Sequence, residues 1–460
     1  MQEGRERRVR SKRSGDRVKK VDRLRNLPDC LLFKILLNLP TKDVVRCSVL
    51  SRRWRNVWRY VPGLNLKCSD FMVADCYDSS EFNSLLGFVY RFLGFNSESC
   101  LQEFRLMVNW YDDVQLETAH FTQWFNAVVE RKVQHLHVLD KTWGIDEVEI
   151  PPTVYTCESL VSLNLCDVYL PNPEFVFLPS LKVIVLDEVM FDNDLAFQML
   201  LTGCPVLESL TVNKIYLNLE NFQVYSQSLL SFTHVADKDD YLAVVIDAPR
   251  LEYLKLSDRR TESFIMKSPG SLVEADIDIV FDIGIKNKFD PNDLPLRHMI
   301  RNFLIGISCV KEMIISSSTL EVIYDYSRCE QLPLFRNISF LRVEFTDYRW
   351  ELLPIFLESC PNLKSLVLGF SIPPGEEGAS ILPGPRRFLT SLEYVKIVKP
   401  MAEEAIEIKL KLVSYFLENS TILKKLTLCL GNFSEKEESV IVKKLLTIPR
   451  LSTSCQVFVL

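Results

Sequence analysis

An apolar pattern of the form L-x-x-L-x-L returns along most of the chain. Clear copies are Leu160/Leu163/Leu165, Leu207/Leu210/Val212, Leu251/Leu254/Leu256, Leu363/Leu366/Leu368 and Leu423/Leu426/Leu428. Looser copies are Leu101/Phe104/Leu106, Val133/Leu136/Val138, Leu181/Ile184/Leu186, Leu229/Phe232, Leu272/Ala275/Ile277, Val310/Met313/Ile315, Ile338/Leu341/Val343 and Leu392/Val395/Ile397. First positions mostly lie 21 to 32 residues apart, widening between Leu272 and Val310, which is near the period of leucine-rich repeats. Each L-x-L pair predicts a short strand with its apolar residues facing inward. One repeat cannot bury that side alone, so the strands must stack on one another. Helical stretches are predicted at 121–133, 195–201, 352–358 and 408–418. Cys204-Pro205 and Cys360-Pro361 end two of them, because proline cannot continue a helix. The fold class is therefore α/β, a curved solenoid.

Ahead of the repeats the period changes. Asn26-Leu27-Pro28-Asp29 has the composition of a helix start, and Leu31, Leu32, Ile35 and Leu36 recur at helical spacing until Leu39-Pro40. Thr41 is placed to cap a second helix carrying Val44, Val45 and Leu50. A third follows Ser51, with Trp54, Val57 and Trp58 on one side and Arg52, Arg53 and Arg55 on the other. Three such helices hide little core, so the unit must offer some apolar side chains to a partner. Downstream, Pro/Gly-rich residues 371–385 read as a long loop. From Phe388 the pattern runs strand, helix, strand, helix, with a last strand at 455–460, either continuing the solenoid or capping it.

Composition narrows the function. Lys+Arg 54 against Asp+Glu 60 gives a net charge of −6, which argues against a general nucleic-acid binder. Residues 1–25 hold eleven basic and four acidic residues, +7, leaving −13 on the rest. This arm lacks an apolar period and is expected to be disordered; it reads as a nuclear-localisation signal, a weak phosphate-binding tail or a solvated tail with neither role. No secretory or membrane-spanning stretch is evident. Thirteen cysteines without a CxxC pair fit a reduced, intracellular protein of nucleus and/or cytoplasm. His135 and His137 have an H-x-H spacing that zinc accepts, but both face outward from the Leu136/Val138 pair with no third ligand evident. No phosphate loop, nucleophile elbow or zinc-protease motif occurs. No cofactor is expected.

Residues 27–58, LPDCLLFKILLNLPTKDVVRCSVLSRRWRNVW, resemble a plant-type F-box. The stretches Tyr155-Thr-Cys-Glu-Ser-Leu and Leu178-Pro-Ser-Leu-Lys resemble the repeats that accompany it. The tail, with Leu423-Lys-Lys-Leu-Thr-Leu and Pro449-Arg-Leu-Ser-Thr-Ser-Cys-Gln-Val, is similar to the FBD region of F-box/FBD/LRR-repeat proteins. The implied organisation is an arm at 1–21, a three-helix F-box at 22–66, a repeat solenoid at 67–375 and an FBD cap region at 383–460. The resemblance implies that the F-box binds a Skp-type adaptor, and through it cullin and RING subunits of a ubiquitin ligase. The adaptor-facing positions it implies are Leu27, Pro28, Leu31, Ile35, Leu39, Pro40, Val44, Val45, Leu50 and Trp54.

A target protein would then meet the outward positions between the inward leucines, such as Asn164, Lys182, Glu208, Lys255 and Lys364, because alternate strand residues point to opposite faces. The competing readings are an LRR interaction scaffold or nuclear factor without ligase coupling, and an enzyme such as a hydrolase.

Overall fold

The computed structural model describes residues 27–71, 79–94, 100–108, 118–141, 148–214, 221–236, 243–261, 263–281, 289–345, 353–370, 387–398, 406–429 and 435–460. The basic arm and the Pro/Gly-rich 371–385 stretch lie outside them. Fifteen strands form one parallel sheet in chain order: β1 Gly63–Lys67, β2 Glu103–Val108, β3 His135–Asp140, β4 Ser162–Cys166, β5 Val183–Asp187, β6 Ser209–Asn213, β7 Ser231–Val235, β8 Tyr253–Thr261, β9 Glu274–Phe281, β10 Glu312–Ser316, β11 Phe340–Phe345, β12 Ser365–Phe370, β13 Tyr394–Ile397, β14 Lys425–Leu428 and β15 Gln456–Val459. Every repeat proposed from the sequence supplies a strand. The wide Leu272–Val310 interval holds a long strand, β9, and the helix Leu294–Gly306. The region after Phe388 continues the same sheet through β13, β14 and β15.

Register explains why the stack holds. One inward row runs Leu64, Phe104, Leu136, Leu163, Ile184, Leu210, Phe232, Leu254, Ala275, Met313, Leu341, Leu366, Val395 and Leu426 across neighbouring strands. A second runs two residues later in each strand, from Leu66 to Leu428, and all belong to one continuous core. A single polar residue interrupts it: His234 stands between Val212 and Leu256. It is fully buried, stacked on Phe222 at 4.9 Å between ring centres, and neither ring nitrogen finds a well-formed hydrogen bond. Burial therefore holds the imidazole neutral, with its pKa down at about 4.

The backing of the sheet varies. Helices α3 Ser79–Gly94 and α4 Thr118–Glu130 cover its start, and α6 Leu294–Gly306, α7 Ser317–Ser327, α8 Leu353–Glu358, α9 Ile406–Asn419 and α10 Glu435–Thr447 its later part, with α5 Asp194–Thr202 between; α1 Asp29–Leu37 and α2 Thr41–Arg46 belong to the N-terminal unit below. In the middle, two small parallel sheets stand behind the main one: Val148–Glu149, Val168–Leu170 and Met190–Phe191, then Asn221–Tyr225, Ala243–Asp247 and Ser263–Met266. Asp167, Glu188 and Lys214 follow β4, β5 and β6 with φ of 55°, 53° and 45°. These left-handed residues turn the chain sharply off three successive front strands, at a modest conformational cost. Helices pack about 10 Å apart and strands about 4.8 Å apart, so a sheet backed by helices curves with its bare face concave.

The N-terminal unit comprises α1 Asp29–Leu37, α2 Thr41–Arg46 and a 3-10 helix Trp54–Tyr60. The third helix is thus tighter than the α-helix the apolar spacing suggests. Thr41 does not cap α2 with its side chain; Pro40 precedes the helix and Thr41 Oγ1 accepts from the Asn65 N–H at 2.8 Å. This bond ties the unit to β1. Lys42 Nζ reaches Asp70 Oδ1 at 3.3 Å, and Trp58 stacks on Phe88 and Phe92 of α3 at 6.1 and 6.3 Å. The unit's own core ends at Val61, while Leu64 and Leu66 belong to the solenoid core. The first strand of the sheet and its Val61/Leu64/Leu66 pattern therefore lie inside the 22–66 span read as the F-box, where the two cores meet.

Two outcomes follow. The unfolded chain protonates His234 near pH 6.5 and the folded chain only near pH 4, so this residue's contribution to stability falls as pH drops through that window, by about 3 kcal/mol. His234→Leu should raise the denaturation midpoint at pH 7 and flatten its decline between about pH 6.5 and 4; an unchanged acid slope would assign that lability elsewhere. Trp58→Ala should cost about 2–4 kcal/mol. Amide exchange should then rise in β1 and α3 while β9 to β12 stay protected, since repeats contact only their neighbours.

Candidate protein-binding surfaces

The first helix is apolar on two sides. Asp29 in its first turn suits the positive helix end, and the N–H groups of Leu31 and Leu32 donate to the Pro28 carbonyl at 3.0 and 3.2 Å. Leu32 and Leu36 turn inward, where Val44, Trp54, Val57 and Val61 complete a small core. Leu31 and Ile35, one residue earlier in each pair, stand 44% and 45% exposed. Leu39, beyond the helix end, is exposed as well, and Val49 and Leu50, between α2 and the 3-10 helix, are 85% and 65% exposed. Pro28 is exposed, and Leu27, Pro40 and Val45 are half-buried.

The ten positions implied by the resemblance therefore divide. Val44 and Trp54 are buried in the unit's own core, and Leu27 packs against it. Pro28, Leu31, Ile35, Leu39 and Leu50 are open to a partner, with Pro40 and Val45 at intermediate exposure. Two further residues shape this surface. Val49 is the most exposed of these apolar side chains; it follows Ser48 in a short 3-10 turn, where helical spacing gives no guide to direction. Arg53, on the side of the third helix opposite Trp54 and Val57 in the sequence pattern, donates to the Leu27 carbonyl and pairs with Asp29 at 2.5 Å, clamping the start of α1 to the third helix.

The second candidate surface is the bare face of the sheet. Asn164 and Lys255 lie on its middle outward row. Lys182, Glu208 and Lys364 each stand one residue ahead of a strand, at its rim. Lys182 and Glu208 pair at 2.8 Å, and Lys255 pairs with Asp276 at 2.6 Å, which raises the Lys255 pKa. These ion pairs are half-exposed, so they set local geometry more than stability. His135 and His137 share this face. Burial and the neighbouring Arg105 charge lower the His137 pKa. Burial pushes the Cys204 thiol up to about 12 and raises those of Cys68 and Cys360, the reverse of an activated nucleophile.

Comparison with known families covers both surfaces. The F-box domain family matches residues 24–65, the family described as "FBD-associated F-box protein At5g56370, LRR repeats" matches residues 121–269, and the FBD family matches residues 382–428. FBD-associated F-box protein At4g13985 of Arabidopsis thaliana is 81% identical over 462 residues, covering all of both chains. F-box/LRR-repeat protein 13 of the same plant is 59% identical, again over all of both chains, and F-box/FBD/LRR-repeat protein At1g78750 is 57% identical over 99% of each. With an F-box ahead of one continuous repeat sheet and an FBD region within its last strands, this chain belongs to the F-box/FBD/LRR-repeat protein family.

Proposed function

We propose that the chain is the substrate-recognition subunit of an SCF-type E3 ubiquitin ligase, non-catalytic itself. Its F-box would bind a Skp-type adaptor, which links to cullin and RING subunits, and its solenoid would hold the target protein. One observation carries the reading: Leu31, Ile35, Leu39, Val49 and Leu50 are exposed on a unit whose own core is already filled by other residues. Apolar side chains grouped in this way mark a protein-binding surface. The free thiols of the described cysteines fit action in the nucleus or cytoplasm.

The rigid junction supports the second half of the reading. The Asn65–Thr41 bond and the Trp58 stack fix the F-box against the first repeats. A target on the sheet would thus be held at a set distance from whatever the F-box binds, raising its effective concentration there.

Leu31→Asp with Ile35→Asp should abolish capture of a purified Skp-type adaptor while leaving the melting temperature close to that of the parent. Lost apolar contact and carboxylate desolvation amount to about 2–5 kcal/mol, or roughly thirtyfold to several thousandfold in affinity. Val44→Asp should instead unfold the N-terminal unit, because it places a charge in the core. Undiminished adaptor capture by the folded double variant would remove the ligase reading.

A further inference from the structure

The bare face of the sheet changes sign along its length. In a band from the residue ahead of each strand to its middle outward residue, β4 to β9 carry Lys182, Glu208, Glu252, Lys255, Glu274 and Asp276. Both lysines are paired, with Glu208 and Asp276, which leaves Glu252 and Glu274 over. From β11 to β15 the same band carries Arg342, Lys364, Lys396, Lys424 and Lys425 against Glu393 alone. Glu393 takes Lys424 at 2.6 Å, and Arg342 reaches along its own strand to Glu344. Lys364, Lys396 and Lys425 are exposed and form no ion pair among the described residues. In the chain, Asp347, Glu351, Glu376, Glu377, Glu403 and Glu404 come after the far ends of β11, β12 and β13. Helix α10, which carries Glu435, Glu437 and Glu438, packs behind the sheet through Ile441 and Leu445.

Aromatic side chains alternate with these cations. Register places Phe340, Tyr394 and Lys425 in one outward row, and Arg342, Val367, Lys396 and Phe458 in the next. Tyr394 and Phe458 are 43% and 40% exposed, and Lys425 lies over the Phe458 ring at 4.5 Å. Five strands about 4.8 Å apart make a patch about 20 Å wide, the span of roughly six extended residues. The pattern selects the occupant. Cations separated by rings suit carboxylates separated by apolar side chains, which is the chemistry of an acidic, apolar stretch of protein. A continuous phosphate backbone would instead meet the carboxylates of Glu344 and Glu393 as well.

We propose that the bare face of β11 to β15, with β13 and β14 in the FBD region, holds an extended acidic and apolar segment of a partner protein running across the strands. Carboxylates of the segment meet Lys364, Lys396 and Lys425, and its apolar side chains cover Phe340, Tyr394 and Phe458. The FBD region thereby gains a binding role of its own. This role does not rest on adaptor binding by the F-box, and Leu31→Asp/Ile35→Asp should leave it unchanged.

The test is fluorescence anisotropy on the full chain with a labelled ten-residue peptide alternating glutamate and leucine, against one with serine in place of glutamate. The glutamate peptide should bind at least about tenfold tighter, and raising salt should weaken it. Lys364→Glu with Lys396→Glu, at exposed positions that leave the melting temperature unchanged, should weaken binding about tenfold or more. Tyr394→Ala should weaken it about threefold or more. Lys443→Glu with Lys444→Glu, on α10 behind the sheet, should leave it unchanged. Equal binding of the two peptides, no binding of the glutamate peptide, full binding by Lys364→Glu/Lys396→Glu, or an equal loss in the α10 variant would overturn the proposal. Tighter binding of a short single-stranded DNA at the same salt would assign the face to nucleic acid instead. A dimer in sedimentation that Lys364→Glu/Lys396→Glu dissolves would assign it to a second copy.

Discussion

Everything in this molecule depends on the fact that one repeat cannot bury its own apolar side. A strand of five residues offers two inward side chains, and these become core only when the strands before and after stand in register. Because the inward residue of one strand aligns with that of the next from Leu64 to Leu426, the core is a continuous band rather than a set of local clusters. Cooperative stability passes along such a band by nearest-neighbour contact. It also makes the two ends special, since each end repeat has one neighbour fewer. The F-box solves this at the start by lending α2 and Trp58 to the first repeats, so it also completes the first solenoid unit.

Much of this was legible in the sequence, because the inward pair is written in large aliphatic residues at fixed spacing. What was hidden has identifiable physical causes. The first strand went unseen since Val61/Leu64/Leu66 adjoins the F-box helices, where any apolar residue invites a helical explanation. His234 could not be seen as an inward residue because the pattern counts apolar positions; only the register with Val212 and Leu256 shows that imidazole replacing an aliphatic side chain. Thr41 had the right type for a helix cap, but its hydroxyl serves a strand twenty-four residues away, a contact that local reasoning does not reach.

The F-box surface illustrates the same limit more sharply. Helical spacing identifies Leu31, Leu32, Ile35 and Leu36 as apolar but does not say which pair faces the core. In the fold, Leu32 and Leu36 take the core, and the adjacent pair is left outside. Val44 and Trp54 join the inner set because α2 and the 3-10 helix close over α1. The result is a division within a very small unit: six residues hold it together, and a separate apolar group, extended by Val49, stands exposed. A substitution's effect therefore depends on which group it enters, even when two positions are adjacent in sequence.

The backing of the sheet bears on how a target would be held. Curvature arises from the mismatch between helix spacing and strand spacing, so it should be strong where α3 and α4 or α6 to α10 stand behind the front strands. Behind β4 to β9 the backing includes two small parallel sheets, whose strands repeat at the same interval as the front ones. There the mismatch should largely vanish and the bare face should be flatter. Asn164 and Lys255 stand on this strand-backed middle, with the Lys182–Glu208 pair at its rim, whereas Lys364 stands on the helix-backed part that follows. A broad, gently shaped partner surface fits the first region, and a narrower projecting element fits the second. The choice of strand or helix behind each repeat, made by short β-rich runs such as Ala243–Asp247, thus acts on the bare face from the opposite side of the molecule.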